Sequence, residues 1–158
     1  QMIHTLNTTA LLRLSYAALA AFSPRGQGTL INIASILALH ALPGSAVYSA
    51  SKAWVLSFTR ALQEEFSDSG LRIQAVLPAA TATDLWPTSG VALDALPAGS
   101  VMTTEDLVDA ALSGLDQGEN ITLPPVHDLA LWSHFDQARL ALFGSARNGQ
   151  PAPRYRRS

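Results

Sequence analysis

The chain has 158 residues, enough for one domain with a sizeable core. It is 48% hydrophobic and 14% charged, and its formal net charge of -2 gives no basic surface for nucleic acid. It contains no cysteine, which excludes disulfides, a thiol nucleophile and thiolate metal ligation, and no apolar run of bilayer-spanning length.

In chain order, Leu6, Ala10, Leu14, Ala17 and Ala21 recur at helical spacing and predict a helix over about 2–22 with that stripe buried. Ala10 to Phe22 has the look of a signal-peptide core. Arg13 interrupts it and no basic segment precedes it, so an internal helix and a cytoplasmic setting are expected, with no membrane partner. The turn-rich stretch 23–28 leads into Thr29–Ala34, short, apolar and β-branched as a buried parallel strand should be. Pro43-Gly44 marks a turn, and Ser45 is a candidate N-cap for a helix over Ala46–Phe66. That helix carries two adjacent stripes: Ser51, Val55, Phe58, Leu62 and Phe66, then Ala50, Trp54, Ser57 and Ala61. Such a helix is expected to be covered by the sheet on one side and by something else, a second subunit being one candidate, on the other.

Leu71–Leu77 reads as another strand, ended by Pro78. Residues 84–100 hold Pro87, Gly90, Pro97 and Gly99 and read as a mobile loop or lid. Thr103 or Thr104 caps a helix reaching about Leu115, 121–123 is a short strand stopped by Pro124-Pro125, and a final helix covers about 128–143. Residues 146–158, with Arg154, Arg156 and Arg157 after Gly149, Pro151 and Pro153, read as a flexible solvated tail. Helices alternating with strands predict an α/β fold with a doubly wound parallel sheet over residues 1–145.

The chemistry concentrates in three side chains. Ser35 follows the strand Ile31-Asn32-Ile33-Ala34, and Tyr48 and Lys52 stand four positions apart on the next helix, off one face and one turn apart. A free tyrosine titrates near ~10 and is a poor acid or base at neutral pH. Lowering it by roughly 3 units takes about 4 kcal/mol, part of which a neighbouring ammonium supplies by favouring the phenolate. A serine hydroxyl beside the phenol holds a carbonyl or alcohol oxygen. The result is a proton-transfer site for a C–O group that needs a hydride carrier. The bland alternatives are a turn-capping Ser35, and a surface Tyr48 with a solvated Lys52. Ser49-Ala50-Ser51-Lys52 is also an S-x-x-K, but its acyl-transfer companions K-T-G and S-D-N are missing from the chain. His4, His40, His127 and His134 have no metal-ligand spacing, so no metal is expected, and Trp54, Trp86 and Trp132 read as packing residues.

With these residues the chain resembles the short-chain dehydrogenase/reductase family over about residues 6–143. Ser35 at a strand end, Tyr48-x-x-x-Lys52 thirteen positions later, and Asn7 on the preceding helix match the family tetrad in order and spacing. The stretch Pro78-Ala79-Ala80-Thr81-Ala82-Thr83 resembles the family's Pro-Gly turn and nicotinamide-contacting threonine. Ala79 stands where the family has glycine, a substitution that costs about 1 kcal/mol if the backbone there needs positive φ. The chain contains no G-x-x-x-G-x-G, the family's pyrophosphate cradle at a helix N-terminus. The resemblance is therefore to the C-terminal part of such a domain, with roughly 90 residues preceding it at ~30 per βαβ unit.

The resemblance implies an NAD(P)-dependent oxidoreductase, NADP slightly favoured, acting on a small carbonyl or alcohol. Tyr48 would be the general acid or base. Lys52 would lower the Tyr48 pKa and hold the nicotinamide ribose, Ser35 would polarise the substrate oxygen, and Asn7 would anchor a relay water. Tyr48, Lys52, Pro78, Ala79, Thr81 and Thr83 would bind the cofactor, and Ser35, Leu37, Tyr48 and Trp86 the substrate. The family's habit implies a homodimer or homotetramer. The alternative is a catalytically silent relative, a truncated product or a nucleotide-sensing or interaction module.

Overall fold

The computed structural model describes residues 5–81 and 97–157, with the side chains of 5–7 excepted. It divides into two compact units, Gln1–Pro125 and Val126–Ser158.

In the first unit a wide π-helical turn, Thr5–Ala10, opens into helix α1 (Leu11–Phe22). Strand β1 (Gly28–Ile33) follows, then a 3₁₀ turn at Ile36–Ala38, helix α2 (Ala46–Glu65) and strand β2 (Leu71–Val76). Two-residue strands β3 (Ala80–Thr81) and β4 (Val101–Met102) pair with each other, and helix α3 (Thr104–Asp116) leads to β5 (Ile121–Thr122). The main sheet is parallel in the order β1-β2-β5, with β1 and β2 in register from Gly28–Leu71 to Ile33–Val76. This is the α/β architecture expected.

Side chains alternate across β2 and so bury on two sides. Ile73 packs with Leu19 of α1 and Leu62 of α2, with Leu30, Phe58, Phe66 and Leu71 around them. Its neighbour Gln74 points the other way, donating from Nε2 to the Ala111 carbonyl of α3 (3.0 Å) and to Thr122 Oγ1 (2.8 Å). Helices therefore cover both faces of the sheet. On the α1–α2 side the layer above Leu30 is polar. Asn32 Nδ2 donates to Thr59 Oγ1 at 3.0 Å and to Ser15 Oγ at 3.5 Å, and Thr59 Oγ1 donates to the Val55 carbonyl at 2.7 Å. All three side chains are buried.

That network corrects the expected orientation of α1. Leu14 is 71% exposed, and Ala17 and Ala21 are exposed too. The buried face instead runs through Thr8, Ser15 and Leu19, because the helix turns Ser15 toward Asn32. On α2, the stripe Ser51, Val55 and Leu62 is buried as expected, whereas Ala50, Ser57 and Ala61 face solvent. Trp54 stacks on Phe58 at 4.8 Å.

Side chains cap the N-termini of α3 and the last helix, but not that of α2, where Ser45 was the candidate. Thr103 accepts from the Asp106 amide at 3.1 Å, with Glu105 and Asp106 in the first turn favouring the positive end of the helix. Ser45 precedes α2, but its hydroxyl does not cap it. It turns back to the Leu42 carbonyl (2.6 Å) and lies 2.7 Å from Ser49 Oγ. The second unit is helix α4 (Leu129–Ala146), capped by Asp128 accepting from the Ala130 amide, then a 3₁₀ turn at Pro153–Tyr155. Residues 82–96, where most of the expected lid falls, lie outside the described residues.

The two turns that feed β1 and β2 touch. Gly70 has φ +76°, and a Cβ built on it would lie 2.5 Å from the Gly26 carbonyl oxygen. Gly118 has φ +80° with nothing within 4 Å. Gly118→Ala should cost about 1 kcal/mol from backbone conformation alone. Gly70→Ala should cost more, about 2 kcal/mol or above, because main chain must also move. Urea denaturation of the two variants checks the order, and equal losses would contradict it.

Candidate active site

The parallel ladder runs on past the ends of β1 and β2. The Ala34 amide donates to the Val76 carbonyl at 2.8 Å and the Ile36 amide to the Pro78 carbonyl at 2.9 Å. Ser35 lies between these bonds, in extended backbone, so it is held against the Pro78 turn at the carboxyl end of the sheet. That end is where doubly wound sheets bind their ligands. Two surface clefts open at the opposite, amino end: one touches Leu71, Arg72 and Asn120, the other Arg25, Gly28 and Gly70.

Ser35 does two things. Its Oγ accepts from the Leu37 amide at 3.1 Å, which caps the 3₁₀ turn, and its side chain hydrogen-bonds Tyr48. Ser35 thus caps the turn, the bland alternative, and meets Tyr48 at the same time. Tyr48 comes from the first turn of α2 and Lys52 from the next, as the spacing predicted. Lys52 Nζ donates to the Ile33 carbonyl at 3.2 Å and stands 5.7 Å from the centre of the Tyr48 ring. Ser51 Oγ donates to the Tyr48 carbonyl at 2.7 Å and secures the backbone between them. The structure therefore brings Ser35, Tyr48 and Lys52 together.

The electrostatics differ from expectation. Burial pushes the Tyr48 phenol above its ordinary 10.0, and the hydrogen bond with Ser35 only partly opposes this. Burial likewise pulls the Lys52 ammonium below its ordinary 10.5. The expected lowering of Tyr48 by Lys52 is overturned: desolvation outweighs the attraction of an ammonium engaged with a main-chain carbonyl. Although Tyr48 is 38% exposed overall, the desolvation penalty still dominates. At neutral pH the resting site holds a protonated phenol.

Asn7 lies on the wide turn Thr5–Ala10, and its side chain is outside the described residues. Such one-turn widenings are rare and recur at functional sites. Pro78 is buried and Ala79 exposed, and no described non-glycine residue has positive φ. The expected cost of alanine at position 79 therefore does not arise. Thr81 is buried in β3, with Oγ1 3.5 Å from the Ala79 carbonyl. Thr83, Leu85 and Trp86 lie outside the described residues. Leu37 is half-buried two residues after Ser35, and Leu42 (51%) and Val47 (60%) are exposed. Asn32 is the residue sequence reasoning passed over; its signal was an asparagine inside an apolar strand.

A family model for short chain dehydrogenase matches residues 1–92. Among curated relatives, the chain is 31% identical over 121 residues to the "Inactive 2-(S)-hydroxypropyl-CoM dehydrogenase 2" of Xanthobacter autotrophicus, covering 70% of this chain and 53% of that protein. It is 32% identical over 117 residues to a 3alpha-hydroxysteroid dehydrogenase of Mediterraneibacter gnavus, covering 71% and 47%. A solved short-chain dehydrogenase from Sphingobium yanoikuyae in complex with NADPH superposes with TM-score 0.89 and 45% identity, over 96% of this chain and 59% of that one. The bulky-bulky ketone specific alcohol dehydrogenase of Comamonas testosteroni gives TM-score 0.80 at 37% identity, over 98% and 56%. The chain thus spans about half the length of the relatives it matches.

In the ligand-free protein, the difference in phenolate absorbance near 295 nm between wild type and Tyr48→Phe should titrate above pH 10.0. Ser35→Ala should move that titration higher still, since it removes the bond that favours the ionised form. A Tyr48 transition below 10 in the ligand-free protein would contradict the burial argument.

Proposed function

Because the chain belongs to the short-chain dehydrogenase/reductase family, we propose that it forms part of an NAD(P)-dependent oxidoreductase. The reaction moves a hydride between a nicotinamide and a carbonyl or alcohol substrate. The observation that carries this reading is the hydrogen bond between Ser35 and Tyr48, with the Lys52 ammonium beside the ring.

The residues fit a nicotinamide nucleotide. An ammonium held on a main-chain carbonyl at the carboxyl end of a parallel sheet offers its remaining protons to a ribose diol, and the ladder bond from Ile36 to Pro78 sets the Pro78–Thr81 turn beside Ser35. The bound nicotinamide supplies the hydride. In reduction, Ser35 hydrogen-bonds the carbonyl oxygen and polarises it, and Tyr48 gives its proton to that oxygen as negative charge develops. Burial keeps the phenol protonated in the resting site, so it has a proton to give, although it makes the phenol a weaker acid than a free tyrosine. Lys52 orients the ribose, and Asn7 anchors a water that reprotonates the site through Lys52. Pro78, Ala79, Thr81 and Thr83 hold the carboxamide and fix the ring face, and Leu37 and Trp86 contact the substrate.

NADP is the favoured cofactor, supported by the NADPH in the 45%-identical Sphingobium yanoikuyae enzyme. A homodimer or homotetramer packs the exposed apolar sides of α1 and α2, through Leu14, Ala17, Ala50 and Ala61, against their mates.

Tyr48→Phe tests the acid/base role. It should lower kcat by about 10²–10⁴-fold, while NADPH binding, read by nucleotide fluorescence, stays within about twofold, since the cofactor contacts proposed for Lys52 and Thr83 remain. Unchanged turnover would overturn the role.

A further inference from the structure

Helix α4 carries apolar residues on two sides. On one side Leu129, Trp132, Leu140 and Phe143 are interrupted by Asp136, whose carboxylate accepts from Arg139 Nε at 2.8 Å. On the other, Leu131, Phe135, Ala138 and Leu142 recur at steps of four, three and four, with no polar residue among them on that face. That stagger is the one by which helices pack along a dry seam. The helix buries none of its residues: Leu131 is 64% exposed, Phe135 43% and Leu142 72%, and Ala138 is exposed as well. Phe135 stacks on Trp132 of its own helix at 5.5 Å, which steadies its ring. Single exposed apolar residues are ordinary, but a continuous stripe of them marks a contact surface.

We propose that this stripe of α4 is a self-association surface, on which the same stripe of a second copy of the chain docks antiparallel about a twofold axis. The stripe is complementary to itself when turned end for end about the point between Asp136 and Gln137. Leu131 then meets the partner's Leu142, and Phe135 meets the partner's Ala138, so the large ring fills the space over the small residue twice, as an isologous contact requires. A parallel pair would instead set Phe135 against the partner's Phe135 and leave a gap between the two Ala138 methyls. Charge selects the same direction. Asp128 caps the start of the helix and Arg147 stands at its end, so an antiparallel mate brings acidic end to basic end and opposes the helix dipoles. Two 18-residue helices packed in this way bury on the order of 1,000 Å² in total, near the lower bound for a specific contact. The contact is therefore modest, and it is separate from the α1–α2 packing proposed above. A lipid surface is the competing occupant, given Arg154, Arg156 and Arg157 beyond the helix. Helices that lie on membranes segregate an apolar from a charged side, whereas α4 sets its one ion pair within its other apolar stripe.

The inference does not depend on the proposed reaction. In sedimentation velocity of the full-length protein, Ala138→Glu and Leu142→Glu should each weaken one association step at least about tenfold, with the melting temperature near wild type, since both positions are exposed. Direction is read by oxidation of a full-length variant carrying Leu131→Cys and Leu142→Cys as its only cysteines. The two sites are about 16 Å apart on one helix, too far for a disulfide within a chain. Trypsin cuts at Arg139 and separates them. The disulfide-linked dimer should then yield the residue 131 peptide joined to the residue 142 peptide. Each peptide joined to its own copy would mean a parallel pair and overturn the proposal. So would association unchanged in both glutamate variants, or a residue 142 thiol shielded from maleimide in a monomer, where another part of the same chain covers the stripe. Binding of wild type to phosphatidylserine vesicles that Leu142→Glu abolishes, with association unmoved, would assign the stripe to lipid and overturn it too.

Discussion

The parallel register of β1 against β2 is the constraint from which the site follows. Side chains on a strand have period two, so a slip of one residue would send Leu30 and Asn32 away from α1 and α2. It would also move Ser35 along the sheet relative to the Pro78 turn. The register is held in the middle by Ile73 packing with Leu19 and Leu62, and at the carboxyl end by the bonds from Ala34 and Ile36. Lys52 adds a cross-link from α2 to the end of β1 at Ile33. The three groups of the candidate site thus arrive from one strand end and one helix, each fixed to the same pair of strands.

The resting electrostatics set how such a site works. Burial drives the phenol and the ammonium toward their neutral forms, one by raising and the other by lowering its pKa. A free ion pair at this spacing would favour phenolate and ammonium together. Here the ammonium donates to a main-chain carbonyl, and burial keeps the proton on the phenol. The serine hydrogen bond leans the other way, toward the ionised form, without overcoming burial.

Much of the fold and the heart of the site were legible because they rest on spacing. Tyr48 and Lys52 at i and i+4, a β-branched run before Ser35, and a Thr103 cap each encode their geometry locally. What was misread depends on tertiary contact. The face of α1 was assigned by counting Leu and Ala, yet Ser15 is buried because Asn32 reaches it from another element. Ser45 has the residue type of a cap, but Leu42 offered a closer bond. The Tyr48 pKa was argued from one neighbouring charge, whereas the energy of leaving water depends on everything packed around the hydroxyl. The wide turn holding Asn7 has no sequence signature at all.

The bonds joining Asn32 to Thr59 and Ser15 have one more consequence. Oily contacts tolerate sliding, since one methyl serves nearly as well as the next, but an amide and two hydroxyls are satisfied in a single arrangement. Three chain segments are thereby indexed like the teeth of meshed gears. The helix bearing Tyr48 has no neighbouring stable position to drift into, and any loosening there must proceed by outright local melting rather than by gradual misalignment.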